Sequence, residues 1–288
     1  MELGVTGVML PDLDFAGQIA LCRELGVKFY QYRPRIIPDD QRGKPFDNWG
    51  NHKFDLTPER FRNEGRQLTA QLRGAGMEPW GSTPNLTVDM DDEEIRLHIE
   101  GAVAADLRCV RCNPPAYPRQ PFDYAAFLDH VVSRYAYVID RISWPMGIKL
   151  LIETHAGSLA SAPGLAWNLV HHFSPNRIGV IFDLPNFAIE GGVTPHLAVS
   201  VLGPYIDCCH VGGARRADRP QRDEFGTRLI DRAFCAMTES DAHVPAYLKA
   251  LKAVDLNPPL LIEDYEPGLS GTDRLRRGVK YLRQVMGK

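Results

Sequence analysis

Lys149–Gly157 reads KLLIETHAG, an apolar run that climbs to an acid, Glu153, and two residues later to a histidine, His155. The pattern returns three times downstream. Ile178–Asn186 (IGVIFDLPN) climbs to Asp183, Tyr205–Gly213 (YIDCCHVGG) to His210, and Pro259–Glu266 (PLLIEDYE) to Glu263. Each stretch has the character of a short buried strand ending in a side chain able to ligate a metal or move a proton. A carboxylate at the end of an apolar strand is costly to bury unless a cation or hydrogen bonds compensate it. Four such endings in succession call for a common explanation. The simplest is that four neighbouring parallel strands aim their C-terminal ends at one ion.

The rest of the chain alternates in the same way. Further strands are predicted at Leu3–Leu10, Val27–Arg33, Glu78–Leu86 and Leu107–Asn113, joining Lys149–Thr154, Ile178–Asp183, Ile206–Val211 and Leu260–Asp264. Between them lie helical patterns: Asp14–Leu25 stopped by Gly26, a helix opened by Thr57-Pro58-Glu59 and running to about Gly74, and one started by the acids Asp91–Glu94. Asp123–Ile142, Pro163–Phe173, Pro195–Leu202, His243–Val254 and Gly271–Val285 complete the set. Two segments stand apart, an irregular insert at Pro34–Leu56 and a polar one at Gly213–Asp241. Eight β/α units with strands apolar enough to be buried on both faces predict a parallel α/β fold. A doubly wound sheet is the alternative. No dinucleotide-type glycine pattern follows the first strand, which favours a closed (β/α)8 TIM barrel occupying residues 1–288 as a single domain. Spacing agrees. Glu153 and Asp183 are 30 residues apart and Asp183 and His210 are 27 apart, while the 53 from His210 to Glu263 contain the second insert.

Bulk properties exclude several classes. With 44% hydrophobic and 24% charged residues and a net charge of -3, the chain has the balance of a globular protein and no basic face for nucleic acid. No uncharged apolar stretch approaches the roughly 18 residues of a membrane span. The start, MELGVTGVML, has no basic leader and reads directly into a strand, so a cytoplasmic location is expected. Six cysteines do not suggest a disulfide framework. Cys109/Cys112 and Cys208/Cys209 fall on opposite faces of their strands and are expected as small buried hydrophobes.

Strand alternation refines the site. Leu151 lies under Glu153, Ile181 under Asp183, Cys208 under His210 and Leu261 under Glu263, so an apolar or soft layer is expected beneath each ligand. Three carboxylates and one imidazole suit one hard-to-borderline divalent ion, Mn²⁺ first, with Mg²⁺, Co²⁺ or Zn²⁺ also matching the donor set. A structural ion pair accounts for a single buried glutamate, but four in register leave that explanation behind. Around them, His155, Arg33 at the end of the second strand and Asn113 at the end of the fourth are candidate substrate contacts. So are the aromatics of the Pro34–Leu56 insert, Trp49 among them, as a cap over a ring.

The set IETHAG, FDLPN, CHVGG and IEDYE, in that order at one-unit spacing, resembles the xylose-isomerase-like barrel superfamily of sugar isomerases and epimerases, over essentially the whole chain. The resemblance implies a metal held by Glu153, Asp183, His210 and Glu263. It also implies that Glu153 and Glu263 act as an acid/base pair on opposite faces of a keto-sugar or polyol, abstracting a proton α to the carbonyl to give an enediolate. Two departures stand out. Asn186 occupies the position where the ketose 3-epimerases usually carry a histidine, and Gly212-Gly213 follow His210 in place of a lysine and an acid, leaving Arg215 or Arg216 to supply a cation. The three-zinc endonuclease branch needs more histidines than this chain offers. Isomerase or epimerase is therefore the expected activity in carbohydrate metabolism. A lyase of the same superfamily is the alternative, either a dehydratase of inosose or dehydroshikimate type or a β-eliminase of keto-glycosides, and a non-catalytic sugar-binding barrel is the third. With no phosphate-cradling glycine loop, a free sugar or polyol is expected as the small-molecule partner. Barrels of this kind often pair, so a homo-oligomer is expected.

Overall fold

The predicted apolar strands close into a ring. The computed structural model describes residues 1–118, 120–190 and 193–287. Its strands are β1 (Leu3–Thr6), β2 (Phe29–Tyr32), β3 (Glu78–Ser82), β4 (Cys109–Arg111), β5 (Lys149–Glu153), β6 (Ile178–Asp183), β7 (Ile206–Val211), β8 (Ala214–Arg222), β9 (Arg228–Phe234) and β10 (Leu260–Ile262). Eight of them form a closed parallel barrel in the order β1-β10-β7-β6-β5-β4-β3-β2, and β8 and β9 pair separately as an antiparallel hairpin. Outside the ring lie α1 (Phe15–Glu24), α2 (Pro58–Gly74), α3 (Asp92–Ala104), α4 (Tyr124–Val138), α5 (Pro163–Val170), α6 (Leu184–Glu190), α7 (Pro195–Leu202), α8 (Val244–Ala253) and α9 (Gly271–Met286). The local signals in the sequence set several helix starts. Asp14, Thr57 and Asp123 each accept a hydrogen bond from the backbone N–H three residues on, and Pro58 occupies the first turn of α2.

Period-two alternation sorts the strand residues into two layers. Cys109, Leu151, Ile181, Cys208 and Leu261 pack together inside the ring, closed from below by Phe29 and Trp80. Their neighbours Val110, Leu150, Ile152, Val180, Phe182, Cys209, Leu260 and Ile262 belong to the larger core between barrel and helices. Each such side chain gains about 1.5–3 kcal/mol from burial. A one-residue slip of a strand would exchange its two layers and turn its terminal acid outward, so the core fixes the register that presents the site. All six cysteines are free and buried.

Several elements differ from the expectation. The Gly213–Asp241 insert is built mainly on the β8–β9 hairpin, which the polar composition concealed. Gly212 and Gly213 let that hairpin leave the barrel: a Cβ on Gly213 would lie 1.9 Å from the Cys235 carbonyl oxygen, and one on Gly212 would lie 2.3 Å from that of Glu263. An unforeseen α6 begins directly after β6. The long helix predicted at Asp123–Ile142 ends as α at Val138, passes through one π-helical turn at Ile139–Ser143 and stops in a 3-10 turn at Trp144–Met146. His171 and His172 follow α5 rather than lie within it, and both are exposed. The Pro34–Leu56 insert is irregular but tied down. Arg35 donates to the carbonyls of Trp49 and Gly50, Lys53 N–H donates to the Pro11 carbonyl at 2.8 Å, and Phe54 stacks on Phe15 with centroids 4.7 Å apart. Among the described residues, no helix is long and apolar enough to cross a membrane.

Candidate metal centre

Parallel strands in a barrel all end on the same rim, so residues one unit apart in sequence become neighbours in space. Asp183 of β6 pairs in register with His210 of β7, His210 with Leu261 of β10, and Glu153 of β5 with Ile181 of β6. The stagger between strands brings Glu153, Asp183, His210 and Glu263 together, with one ligand atom from each lying within 4.8 Å of the others. Such a cluster is able to hold one metal ion. His210 Nδ1 is its hub, 3.2 Å from Glu153 Oε1, 3.5 Å from Asp183 Oδ2 and 2.5 Å from Glu263 Oε2.

The surroundings fit a cation. His210 Nε2 lies 2.9 Å from Gln31 Oε1 on β2, and since an amide oxygen only accepts, the Nε2–H donates and the imidazole ring is oriented with Nδ1 toward the carboxylates. Burial opposes protonation of His210, but Glu263, Asp183 and Glu153 outweigh it and hold the ring's pKa well above the ordinary value. The imidazolium charge thus sits where two buried carboxylates and one half-buried carboxylate demand a positive charge. Burial, helped by the charges of Glu153 and Glu263 and opposed by His210, raises Asp183 to about 6. Glu153 is held well below the usual carboxylate range: burial would raise it, but the guanidinium of Arg111, then His210, prevails. Glu263 is lowered more mildly, with His210 overcoming burial and the Tyr265 hydroxyl assisting.

Outer contacts give the two glutamates different settings. Arg111 Nη1 donates to Glu153 Oε2 at 2.5 Å, and the same guanidinium is fixed by the carbonyls of Thr83 and Pro84 at 2.8–3.2 Å. Tyr265 O–H donates to Glu263 Oε1 at 2.7 Å. The Tyr265 ring is covered by Trp49 from the first insert and Phe234 from β9, with centroids 4.8 and 5.0 Å away. Above the cluster opens a cavity of about 550 Å³.

The cavity wall includes Arg33, Trp49, Asn113, His155 and Asn186. Asn113 Oδ1 also accepts from the Glu153 backbone N–H at 2.8 Å. His155 is exposed at the mouth, and its Nδ1 lies 2.8 Å from the Ala156 carbonyl oxygen. Arg215 and Arg216 do not belong to this wall. Both are exposed on the first hairpin strand, Arg215 Nη1 lying 4.0 Å from Glu239 Oε2 and the Arg216 backbone N–H donating to Asp241. The hairpin turns the chain back, and its second strand delivers the cation: Arg232 donates to Asn186 Oδ1 and lies over the Phe234 ring, 4.7 Å from its centroid. Gln31, Arg111, Arg232, Phe234 and Tyr265 were not anticipated from the sequence. Only Arg111 carried a signal there, as a charged residue set between Val110 and Cys112 near the end of the fourth strand.

Comparison with known proteins agrees with this architecture. A family model described as a xylose isomerase-like TIM barrel matches residues 18–285. Among solved structures, the IOLI protein with a zinc atom bound superposes with a TM-score of 0.73 at 17% identity, covering 99% of this chain and 98% of that one. D-psicose 3-epimerase, solved in the presence of D-fructose, gives 0.67 at 12% identity with both chains fully covered. The 3-keto-D-glucoside 4-epimerase YcjR from E. coli gives 0.66 at 10% identity, again over the whole of both chains. At such identities the likeness is one of fold. No curated protein sequence matches the chain.

Proposed function

The chain belongs to the xylose isomerase-like TIM barrel family, and on that premise we propose that it is a divalent-metal-dependent isomerase or epimerase of a keto-sugar or related polyol. The observation that carries this is the convergence of three carboxylates and one imidazole within 4.8 Å at the floor of a cavity of about 550 Å³. Glu153, Asp183, His210 and Glu263 hold the ion, with Mn²⁺ first and Mg²⁺, Co²⁺ or Zn²⁺ as alternatives. When bound, the ion supplies Lewis-acid polarisation of the substrate carbonyl.

The two glutamates divide the proton work. Glu263 lines the cavity, and its Oε1 is held by a neutral hydroxyl, so it retains more basicity and takes the proton α to the carbonyl. Glu153, paired with Arg111, is the weaker base and correspondingly the stronger acid once protonated, which suits the return of a proton to the opposite face or the neighbouring carbon. Asn186 hydrogen-bonds a substrate hydroxyl but carries no proton at neutral pH. Asn113 and His155 contact the substrate from the far rim, and Trp49, with Tyr265 and Phe234, covers its apolar face. The free, buried cysteines suit a reducing, cytoplasmic setting, and a homo-oligomer is part of the same proposal.

A lyase is the second reading. It shares the α-proton step and differs only in expelling water or an aglycone next. The cavity, walled by both inserts, favours it wherever the substrate is bulkier than a simple ketose. Metal content, measured on wild type and on Glu153→Gln and His210→Ala, is the first test. About one divalent ion per chain is expected, lost in both variants. Incubation with keto-sugars in D₂O then separates the activities. Solvent deuterium in recovered sugar identifies an isomerase or epimerase, and loss of water or aglycone identifies a lyase. No exchange with any keto-sugar leaves a sugar-binding barrel.

A further inference from the structure

Four arginines, Arg33, Arg35, Arg111 and Arg232, line the cavity, against three carboxylates, Glu153, Asp183 and Glu263. Only Arg111 is paired with one of them. Among the described residues, no carboxylate lies within ion-pair distance of Arg33, Arg35 or Arg232. Their fixed partners are neutral: Arg33 donates to the Thr83 carbonyl at 2.6 Å and to Asn85 Oδ1 at 2.8 Å, Arg35 to two backbone carbonyls, and Arg232 to Asn186 Oδ1. A divalent cation on the carboxylates would raise the excess of positive charge still further.

Arg33 is the focus of that excess. Its Nη1 and the Nη2 of Arg111 donate to the same Thr83 carbonyl oxygen, so two guanidiniums are held side by side, one neutralised by Glu153 and the other not. The Nε–H of Arg33 is buried and has no hydrogen-bond partner among the described residues. Burial, followed by the charge of Arg111, lowers the Arg33 pKa to about 10. A buried, unpaired donor is costly, and more so when the group is charged. Two like charges held together in a cavity meet that cost most simply when a ligand brings the anion.

We infer, resting on the functional reading above, that the substrate is a polyol bearing an anionic oxyacid group, and that Arg33 receives that group at the β2–β3 side of the cavity. Arg232, across the ring near β6, supplies further positive potential and with Asn186 contacts the substrate's hydroxyls. The site is then selective for a sugar acid or a sugar phosphate over the neutral sugar.

Titration calorimetry of the whole 288-residue chain, with and without Mn²⁺, against D-fructose, D-fructuronate and D-fructose 6-phosphate tests this, since the three differ at one terminal carbon. At least one anion is expected to bind ten-fold or more tighter than D-fructose, and to weaken as NaCl is raised. Which anion wins names the group. Arg33→Gln should weaken the preferred anion by about 10–100-fold and leave D-fructose within about two-fold. Arg33→Lys, which keeps the charge but loses the planar fork, should fall between. The inference is overturned if D-fructose binds as well as the tighter of the two anions, if neither anion binds, or if Arg33→Gln weakens charged and neutral sugars alike. Should the protein take up no Mn²⁺, the functional reading fails first. Arg33 is not a metal ligand, so the anion titration on metal-free protein still decides the inference by itself.

Discussion

Replacing Arg111 with methionine should destabilise the metal-free protein severely, and for a reason that a double variant can isolate. The Arg111 and Glu153 side chains are 9% and 3% exposed, and they meet at 2.5 Å. At about 4 Å between charge centres and an effective dielectric of about 20, their attraction is about 4 kcal/mol. Removing one partner of a buried pair costs about 3–5 kcal/mol because the other charge is left stranded. Here the Pro84 carbonyl loses its donor as well, while that of Thr83 keeps the bond from Arg33. Urea unfolding should therefore show a stability loss of about 3–5 kcal/mol with little change in the slope against denaturant. Glu153→Gln in the same chain removes the stranded charge, so the double variant should recover most of the loss, with a coupling of at least about 2 kcal/mol. Added Mn²⁺ should stabilise Arg111→Met more than it stabilises wild type, because the ion then supplies the charge that Arg111 provided. A loss below about 1 kcal/mol, or a double variant no more stable than Arg111→Met alone, would refute this account of what keeps Glu153 buried.

Two further outcomes follow from the cluster. Gln31→Leu keeps the side chain's bulk but removes the acceptor for His210 Nε2–H, and Mn²⁺ affinity should fall about 10–100-fold; competition against a fluorescent chelator measures this, and an unchanged affinity would mean that the imidazole is oriented by something else. Metal binding should also be strongly pH-dependent. His210, held well above its ordinary pKa, and Asp183, at about 6, must both be deprotonated to ligate, so protons compete with the ion and affinity falls with pH, most steeply below about 6. Binding at neutral pH should release about one proton, read from calorimetry in buffers of different ionisation enthalpy, and proton uptake or a flat pH profile would contradict the arrangement of charges.

Local periodicity made much of the site legible. A strand has a period of two, so Leu151 under Glu153 and Cys208 under His210 already state which face is interior, and Cys209 and Cys112 already belong to the opposite one. Because each β/α unit returns the chain to the same rim, the one-unit spacing of Glu153, Asp183 and His210 was enough to gather them. Helix starts at Asp14, Thr57 and Asp123 were equally local, since a cap acts over three residues. The β8–β9 hairpin was not legible, because β8 is largely exposed and rich in arginine and neither strand keeps the apolar alternation that marks a half-buried strand.

What the sequence by itself determined was the barrel, its interior layer and the four side chains aimed at one point, all consequences of patterns repeated within a strand or a unit. What only the tertiary structure decided was how those side chains are tuned. Gln31 reaches His210 across 179 residues, Arg111 reaches Glu153 across 42, and Arg232 rather than Arg215 or Arg216 comes to Asn186 across 46. These pairings depend on ring closure and on where a hairpin turns back, and neither leaves a periodic trace along the chain. The charge of the cavity, on which the proposed preference for an anionic substrate rests, is set by contacts of that kind.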